Sequence, residues 1–409
     1  MRHFRDTTAS ALPQAAAEAT AADAAPALQA DVVTSPDALL ALREEWEALA
    51  RATPSASPFQ DFGWIAAWVR AFVEETDTPA PQPYVIRVHA GGRPLLLWPL
   101  QIDRHAGMRR LTWLSMPALQ HGGVLTADMP EDLLWAALEA AWDVIRRTPV
   151  DYADLRLLPE ASPLVRFLSE RCHSGCDNHS FLVDLSGHAD WRSYELSLSR
   201  SARRSRKKRL NRMVRAGKLR FAVHDDGEAF TRLATVAVAW KREWLHAHGI
   251  SGALPERRAF LRLLHALGRT EADERRGSRW TVAELSLDGQ PVAVDIGAIR
   301  GGRFHSFLSA YDAGHADLSP GKVALWLMLR WCKENGIDIY DMLANAAPYK
   351  EDWATRKVPL RHFIRPRTAK GLAYVLWTSR LRTSAMEYYR ALPGWLRGLA
   401  SRCLSGFRA

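Results

Sequence analysis

Residues 304–353 read FHSFLSAYDAGHADLSPGKVALWLMLRWCKENGIDIYDMLANAAPYKEDW. Phe304 to Ala310 is an apolar, aromatic run bounded by Gly301-Gly302 before it and Tyr311-Asp312-Ala313-Gly314 after it, the signature of a buried strand. Val323, Leu325, Trp326, Leu329, Trp331 and Cys332 then recur at helical spacing until Asn335-Gly336 stops them. Ile337 to Met342 reads as a second strand, so the stretch predicts a strand, a loop, a helix and a strand, as in a βαβ crossover.

Ser319 as N-cap with Pro320 at the first helical position is a strong helix start. A helix head beside a strand end presents unpaired N–H groups and the positive end of the macrodipole. Gly321 lets a ligand approach the backbone and Lys322 adds a full charge. Ser319, Gly321 and Lys322 are therefore the candidate contacts for the phosphates of a carrier. Taken alone, Ser-Pro-Gly is also an ordinary helix cap.

Tyr311-Asp312, Leu318-Ser319-Pro320-Gly321-Lys322, the helix ending in Asn335-Gly336-Ile337, the strand Ile337–Leu343 and Tyr349-Lys350 with Trp353 together resemble the C-terminal signature of the bacterial CelD/BcsL-like acetyltransferases. These belong to the GNAT superfamily and are similar to the FemAB-type aminoacyl transferases. The resemblance implies acetyl-CoA as acyl donor, with the 318–322 loop at its pyrophosphate. It also implies a saccharide or other small acceptor, as in exopolysaccharide production. The loop lacks one glycine of the usual Q/R-x-x-G-x-G/A pattern and carries a proline, which leaves two alternatives: aminoacyl-tRNA, the FemAB-type donor, and a non-catalytic membrane-surface scaffold built on an acyltransferase fold.

The chain of 409 residues, 47% hydrophobic, is long enough for two domains with full cores. Its four cysteines, Cys172, Cys176, Cys332 and Cys403, are too scattered for a disulfide framework, and no secretory apolar region follows the start. A cytoplasmic compartment is expected. Cys172-His173, Cys176 and His179 have the ligand types of a zinc site without a second pair at finger spacing, so no metal is expected.

The net charge of +10 is concentrated. Residues 200–220 hold eleven Lys/Arg and no acid; residues 361–409 hold ten against Glu387 alone. Three readings stand for the first run: a solvated face, a grip on phosphate, or nucleic acid, which no accompanying motif supports. The tail, 367–409, mixes arginines with Trp377, Tyr388, Tyr389 and Trp395. It is too short of apolar runs to span a bilayer, and reads as a basic amphipathic helix able to lie on an anionic membrane or to pack on the protein.

Residues 1–30, rich in alanine, read as a mobile leader. Beyond them, helices are predicted over 37–51 and 61–75, strands over 84–89, 94–101 and 110–115, then His121-Gly122-Gly123, a helix over 131–147 and a strand over 154–158. The later half repeats that order: a basic helix over 190–215, helices over 228–248 and 255–267, a three-strand meander turned at Asp288-Gly289 and Gly301-Gly302, a glycine-containing loop, a helix and a strand. The expected fold is α/β, with two tandem GNAT-like lobes over 31–180 and 181–366, each a mixed, mainly antiparallel sheet flanked by helices. The first lobe has no basic residue after its glycines and is expected to be degenerate as a cofactor binder, with His121 a candidate to face the acceptor.

Acyl transfer needs a base for the nucleophile, a donor for the developing oxyanion and a proton for the leaving group. Asp312 and Asp341, at the strand ends flanking the helix, are the candidate bases; either also suits capping a turn or holding Lys350. Tyr349 is the candidate acid and Lys350 a candidate to bind phosphate or polarise the carbonyl. Trp240, Lys241, Tyr311 and Trp353 are candidate substrate contacts. With no Cys-His or Ser-His nucleophile motif, direct attack by the acceptor is expected.

Overall fold

The computed structural model describes residues 27–73, 80–269 and 277–378. The first half runs β1 (Leu28–Val33), α1 (Pro36–Leu40), α2 (Arg43–Ala52), α3 (Phe62–Trp68), β2 (Gln82–Ala90), β3 (Arg93–His105), β4 (Met108–Trp113), β5 (Leu125–Thr126), α4 (Glu131–Arg147), β6 (Tyr152–Pro159), α5 (Pro163–Ser169) and β7 (His173–Asp184). The second runs α6 (Trp191–Ser197), α7 (Arg200–Ala216), β8 (Leu219–His224), α8 (Gly227–Ala247), α9 (Arg258–Gly268), β9 (Arg279–Leu287), β10 (Gln290–Arg300), β11 (Arg303–Tyr311), α10 (Pro320–Glu334), β12 (Ile339–Asp341), α11 (Pro348–Trp353), β13 (Arg356–Pro366) and α12 (Ala369–Leu376).

Two lobes repeat one pattern. In the first, β4 and β6 pair in parallel over Arg110–Thr112 and Tyr152–Asp154, with α4 as the crossover. In the second, β11 and β12 pair in parallel over Arg303–His305 and Ile339–Asp341, with α10 as the crossover. The expected meander β9-β10-β11 forms, turned at Asp288-Gly289 and Gly301-Gly302, all at positive φ as tight hairpin turns require.

The lobes are fused rather than strung together. β7 leaves the first lobe to pair with β12 of the second, while β13, the last strand, pairs with β6 of the first; β7 and β13 then pair with each other. One sheet results, in the order β1-β2-β3-β4-β6-β13-β7-β12-β11-β10-β9-β8, with β5 on β3. A lobe boundary at 180/181 falls inside β7. Because β7 is extended, His173 and His179 lie about 20 Å apart along it. The segment from His173 to His179 is thus strand, and its histidines do not converge.

Other expectations are corrected locally. The 37–51 helix breaks into α1 and α2 at Ala41-Leu42, and the 61–75 helix passes from α3 into a π turn at Val69–Val73, with residues 74 and 75 outside the described ones. The basic helix starts at Arg200, because Ser199 caps it with its own side chain on the Ala202 amide and Leu198 is extended. Residues 28–30, placed in the leader, form the start of β1; the rest of the leader to residue 26 and the tail beyond 378 lie outside the described residues. Within the tail, α12 packs on β13, its Tyr374 ring against Tyr152. Among the described residues no helix is long and apolar enough to cross a membrane.

The largest core joins the first lobe to the back of the second. Phe59 and Trp64 meet Phe307 of β11 and Trp280 of β9, with α8 and α9 on the same side. On the front face, α10 packs Trp326, Met328 and Leu329 against Phe181, Val183, Phe304 and Tyr340. Burial of so many large side chains on both faces is the main stabilising term.

Candidate active site

Beyond His305 and Asp341 the parallel strands part. β11 continues to Tyr311 with a bulge at Phe307, whereas β12 stops. A wedge opens on the front face, and Ser309 and Tyr311 are exposed at its edge. In the first lobe the corresponding gap is filled by the chain itself. Trp113 Nε1 donates to the Arg156 carbonyl and the Gly122 amide to that of Leu157; a Cβ on Gly122 would meet the Trp113 ring at 2.4 Å.

Asp295 of β10 lies at the base of the second wedge. Its Oδ1 accepts from Ser306 Oγ (2.7 Å) and Ser309 Oγ (2.9 Å), and its Oδ2 from the Tyr340 hydroxyl (2.5 Å). Burial pushes this carboxyl up, against the pull of the three hydroxyls. Asp295 escaped the sequence reading, although an acid inside the apolar run Val292–Ile299 was a signal. Burial, with Asp295 close by, raises the Tyr349 phenol to about 12.

At the head of α10, Ser319 adopts a left-handed conformation (φ 58°, ψ 50°) and its side chain caps nothing. It does not act as the expected N-cap acceptor; its hydroxyl instead takes Arg212 Nη2 of α7 at 3.4 Å. The Lys322 and Val323 amides fold back onto the Ser319 carbonyl. Lys322 is exposed, and a Cβ on Gly321 would stand 3.3 Å from the Tyr311 ring. Ser319, Gly321, Lys322 and Tyr311 are therefore gathered at one place, with Arg212 added. The nine Lys/Arg of α7 make no ion pair among the described residues. Arg206 is the one turned inward, 4.0 Å above the Trp353 ring and 4.8 Å from that of Trp326.

Asp312 is spent locally: Oδ1 accepts the Gly314 amide and Oδ2 pairs with His315 Nδ1 at 2.7 Å. Lys350 gives its ammonium to the carbonyls of Met342 (2.6 Å), Leu343 (3.3 Å) and Ala344 (2.7 Å), fastening a segment in which Leu343 and Asn345 have positive φ. Burial lowers it to about 8; Asp341 opposes the shift and Lys241 adds to it. Trp353 is buried against Trp326. Trp240 and Lys241 sit on α8, Trp240 against the large core and Lys241 over the Trp244 ring.

Asp341 faces the back of the sheet. Its Oδ1 accepts from Ser180 Oγ (2.6 Å) and the Leu343 amide, and Ser180 Oγ lies 3.3 Å from His121 Nε2. His121 is thus buried beside Asp341 and not exposed to an acceptor. A separate cleft of about 460 Å³ opens between β7, α11 and the 345–346 turn, lined by Asn178, His179, Phe181, Asn345, Glu351 and Lys357.

Residues 200–351 match the family model described as Acetyltransferase (GNAT) domain. No curated protein matches the chain. Among solved structures it is similar to FemX (10% identity, TM-score 0.54, covering 85% of this chain and 99% of that one). It is also similar to the C-terminal domain of a protein named for lysylphosphatidylglycerol synthetase, from Agrobacterium fabrum (13%, 0.51, 83% and 96%). A conserved protein of unknown function from Bacteroides thetaiotaomicron is a further likeness (13%, 0.50, 82% and 99%). At these identities the structures speak for the fold, and the domain match marks residues 200–351 as an acetyltransferase (GNAT) domain.

Proposed function

We propose that the second lobe transfers an acyl group, acetyl first among candidates, from acyl-CoA directly to the amine or hydroxyl of a small acceptor. The observation that carries the reading is the contrast between the wedges: the first is closed by Trp113 and Gly122, while the second keeps an exposed strand edge beside the head of α10. A free edge can take up the amides of an extended carrier arm. Lys322 and Arg212 supply cations for its phosphates.

In this reading the acceptor attacks the thioester carbonyl and the C–S bond breaks. Tyr349, its phenol raised to about 12 and so protonated, hands its proton to the departing thiolate. The acceptor's proton has a route through the exposed Ser309 hydroxyl to Asp295. Lys350 and Asp312 hold the loops on either side. A sugar or amino sugar acceptor, and exopolysaccharide synthesis as the setting, rest on the likeness to CelD/BcsL-like enzymes; contact of the basic tail with a membrane surface rests on its composition.

Calorimetric titration with acetyl-CoA tests the donor: wild type should bind, and Gly321→Trp and Lys322→Glu should bind weakly. Equal heats for all three, or none for wild type, would remove it. A second reading, transfer from aminoacyl-tRNA, is favoured by the nine basic residues of α7, which make no ion pair among the described residues. It requires tRNA binding that falls steeply with salt.

A further inference from the structure

The junction of the lobes holds a polar group that the acyl-carrier reading does not use. His121 comes from the loop after β4, His305 from β11 and Asp341 from β12, and one ligand atom from each lies within 4.8 Å of the other two. All three are buried, at 5%, 4% and 0% exposure. His305 Nδ1 and Asp341 Oδ2 stand 3.7 Å apart, and neither has a hydrogen-bond partner among the described residues despite being shut off from solvent. Buried polar atoms left this way are costly, and their presence side by side calls for a group between them.

We propose that His121, His305 and Asp341 form a buried site for a divalent transition metal of the zinc class, with Ser180 Oγ or a water as fourth ligand. Two imidazoles and a carboxylate are a regular zinc donor set. Burial holds both histidines neutral, the form in which a ring nitrogen can ligate. In a tetrahedral zinc site with bonds of about 2.0–2.1 Å, ligand atoms are roughly 3.3 Å apart. The His305–Asp341 separation needs only a small contraction, and His121 a larger one.

The nearest cation, Arg303 Nη1, lies 3.6 Å from Asp341 Oδ2, beyond hydrogen-bond range, on a side chain 34% exposed that can swing outward. Since Tyr340 faces the wedge and Asp341 the opposite side, the metal would stand behind the site of acyl transfer. Its role would be to tie the first lobe's loop to the two strands that diverge there.

The tag-free full-length chain, stripped with a chelator, should be titrated with Zn²⁺ in competition with a chromophoric chelator. One Zn²⁺ per chain is expected, with a rise in thermal midpoint. His121→Ala and His305→Ala should each weaken binding roughly 100-fold, while the surface variant His89→Ala leaves it unchanged. No stoichiometric binding by wild type, or binding equally tight in His305→Ala, would overturn the proposal. Should the alanine variants fail to fold, Co²⁺-loaded wild type decides: intense visible bands of tetrahedral cobalt support the site, and the pale spectrum of hydrated cobalt overturns it. None of these readouts depends on donor binding, so this proposal and the acyltransferase reading fail separately.

Discussion

Arg300 of β10 reaches Asp61, in front of α3, with 2.5 Å between Nη1 and Oδ1. The same guanidinium donates to the carbonyls of Ala50 (2.8 Å) and Ala56 (2.9 Å), so one side chain of the second lobe satisfies three acceptors of the first. Burial pushes the Asp61 carboxyl up, and Arg300 and Ser278 act against it. Removing the cation strands the carboxylate in the interior. Arg300→Met should cost about 3–5 kcal/mol in urea unfolding, and a cost within error of zero would refute this view of the lobe contact.

Asp154 of β6 makes the corresponding contact at the exchanged strand. Burial alone would raise its carboxyl, but hydrogen bonds from His362 of β13 (2.9 Å) and Arg156 more than offset this and bring it to about 2. A folded pKa below the unfolded 3.8 means stabilisation that is complete above that value and is lost as pH falls toward 2. The difference in stability between wild type and Asp154→Asn should be on the order of 2 kcal/mol near neutrality and shrink across that window. A difference that does not change with pH would contradict it.

Lys350 is expected to act through backbone order. Lys350→Met leaves the Met342 and Ala344 carbonyls without their donor, at a cost of roughly 1–3 kcal/mol. Lys350→Arg should not rescue, because a planar fork cannot address three converging carbonyls as an ammonium does. Hydrogen exchange of the 342–345 amides should rise in both variants; unchanged protection would speak against the clamp.

Arg206 pins the basic helix to the front face by its position over Trp353 and Trp326. Arg206→Ala should destabilise by about 1–2 kcal/mol, measured by denaturant titration. The exposed Lys207→Ala should lie within about 0.5 kcal/mol of wild type. Similar values for the two would mean that the stack contributes nothing.

Arg212 is the residue that joins α7 to the proposed donor site. Arg212→Glu should weaken acetyl-CoA binding roughly tenfold, the loss of about one charge-assisted hydrogen bond, while leaving the unfolding midpoint unchanged. Unaltered affinity would detach the basic helix from the donor.

Much of this architecture follows from local sequence. Asp288-Gly289 and Gly301-Gly302 dictate hairpins because residues at positive φ are needed there, and the apolar periodicities of 131–147 and 320–334 dictate helices whatever surrounds them. The strand, loop, helix and strand of 304–342 are legible for the same reason, and so is the gathering of Tyr311, Ser319, Gly321 and Lys322. Only the tertiary structure decided that β7 and β13 change lobes, that the first wedge closes on Trp113, that Asp295 sits beneath the second, and that His121 meets His305 and Asp341. Each of those depends on partners far away in the chain, whose pairing and burial are set by global packing; of the four, only Asp295 leaves a local trace, as an acid inside an apolar run.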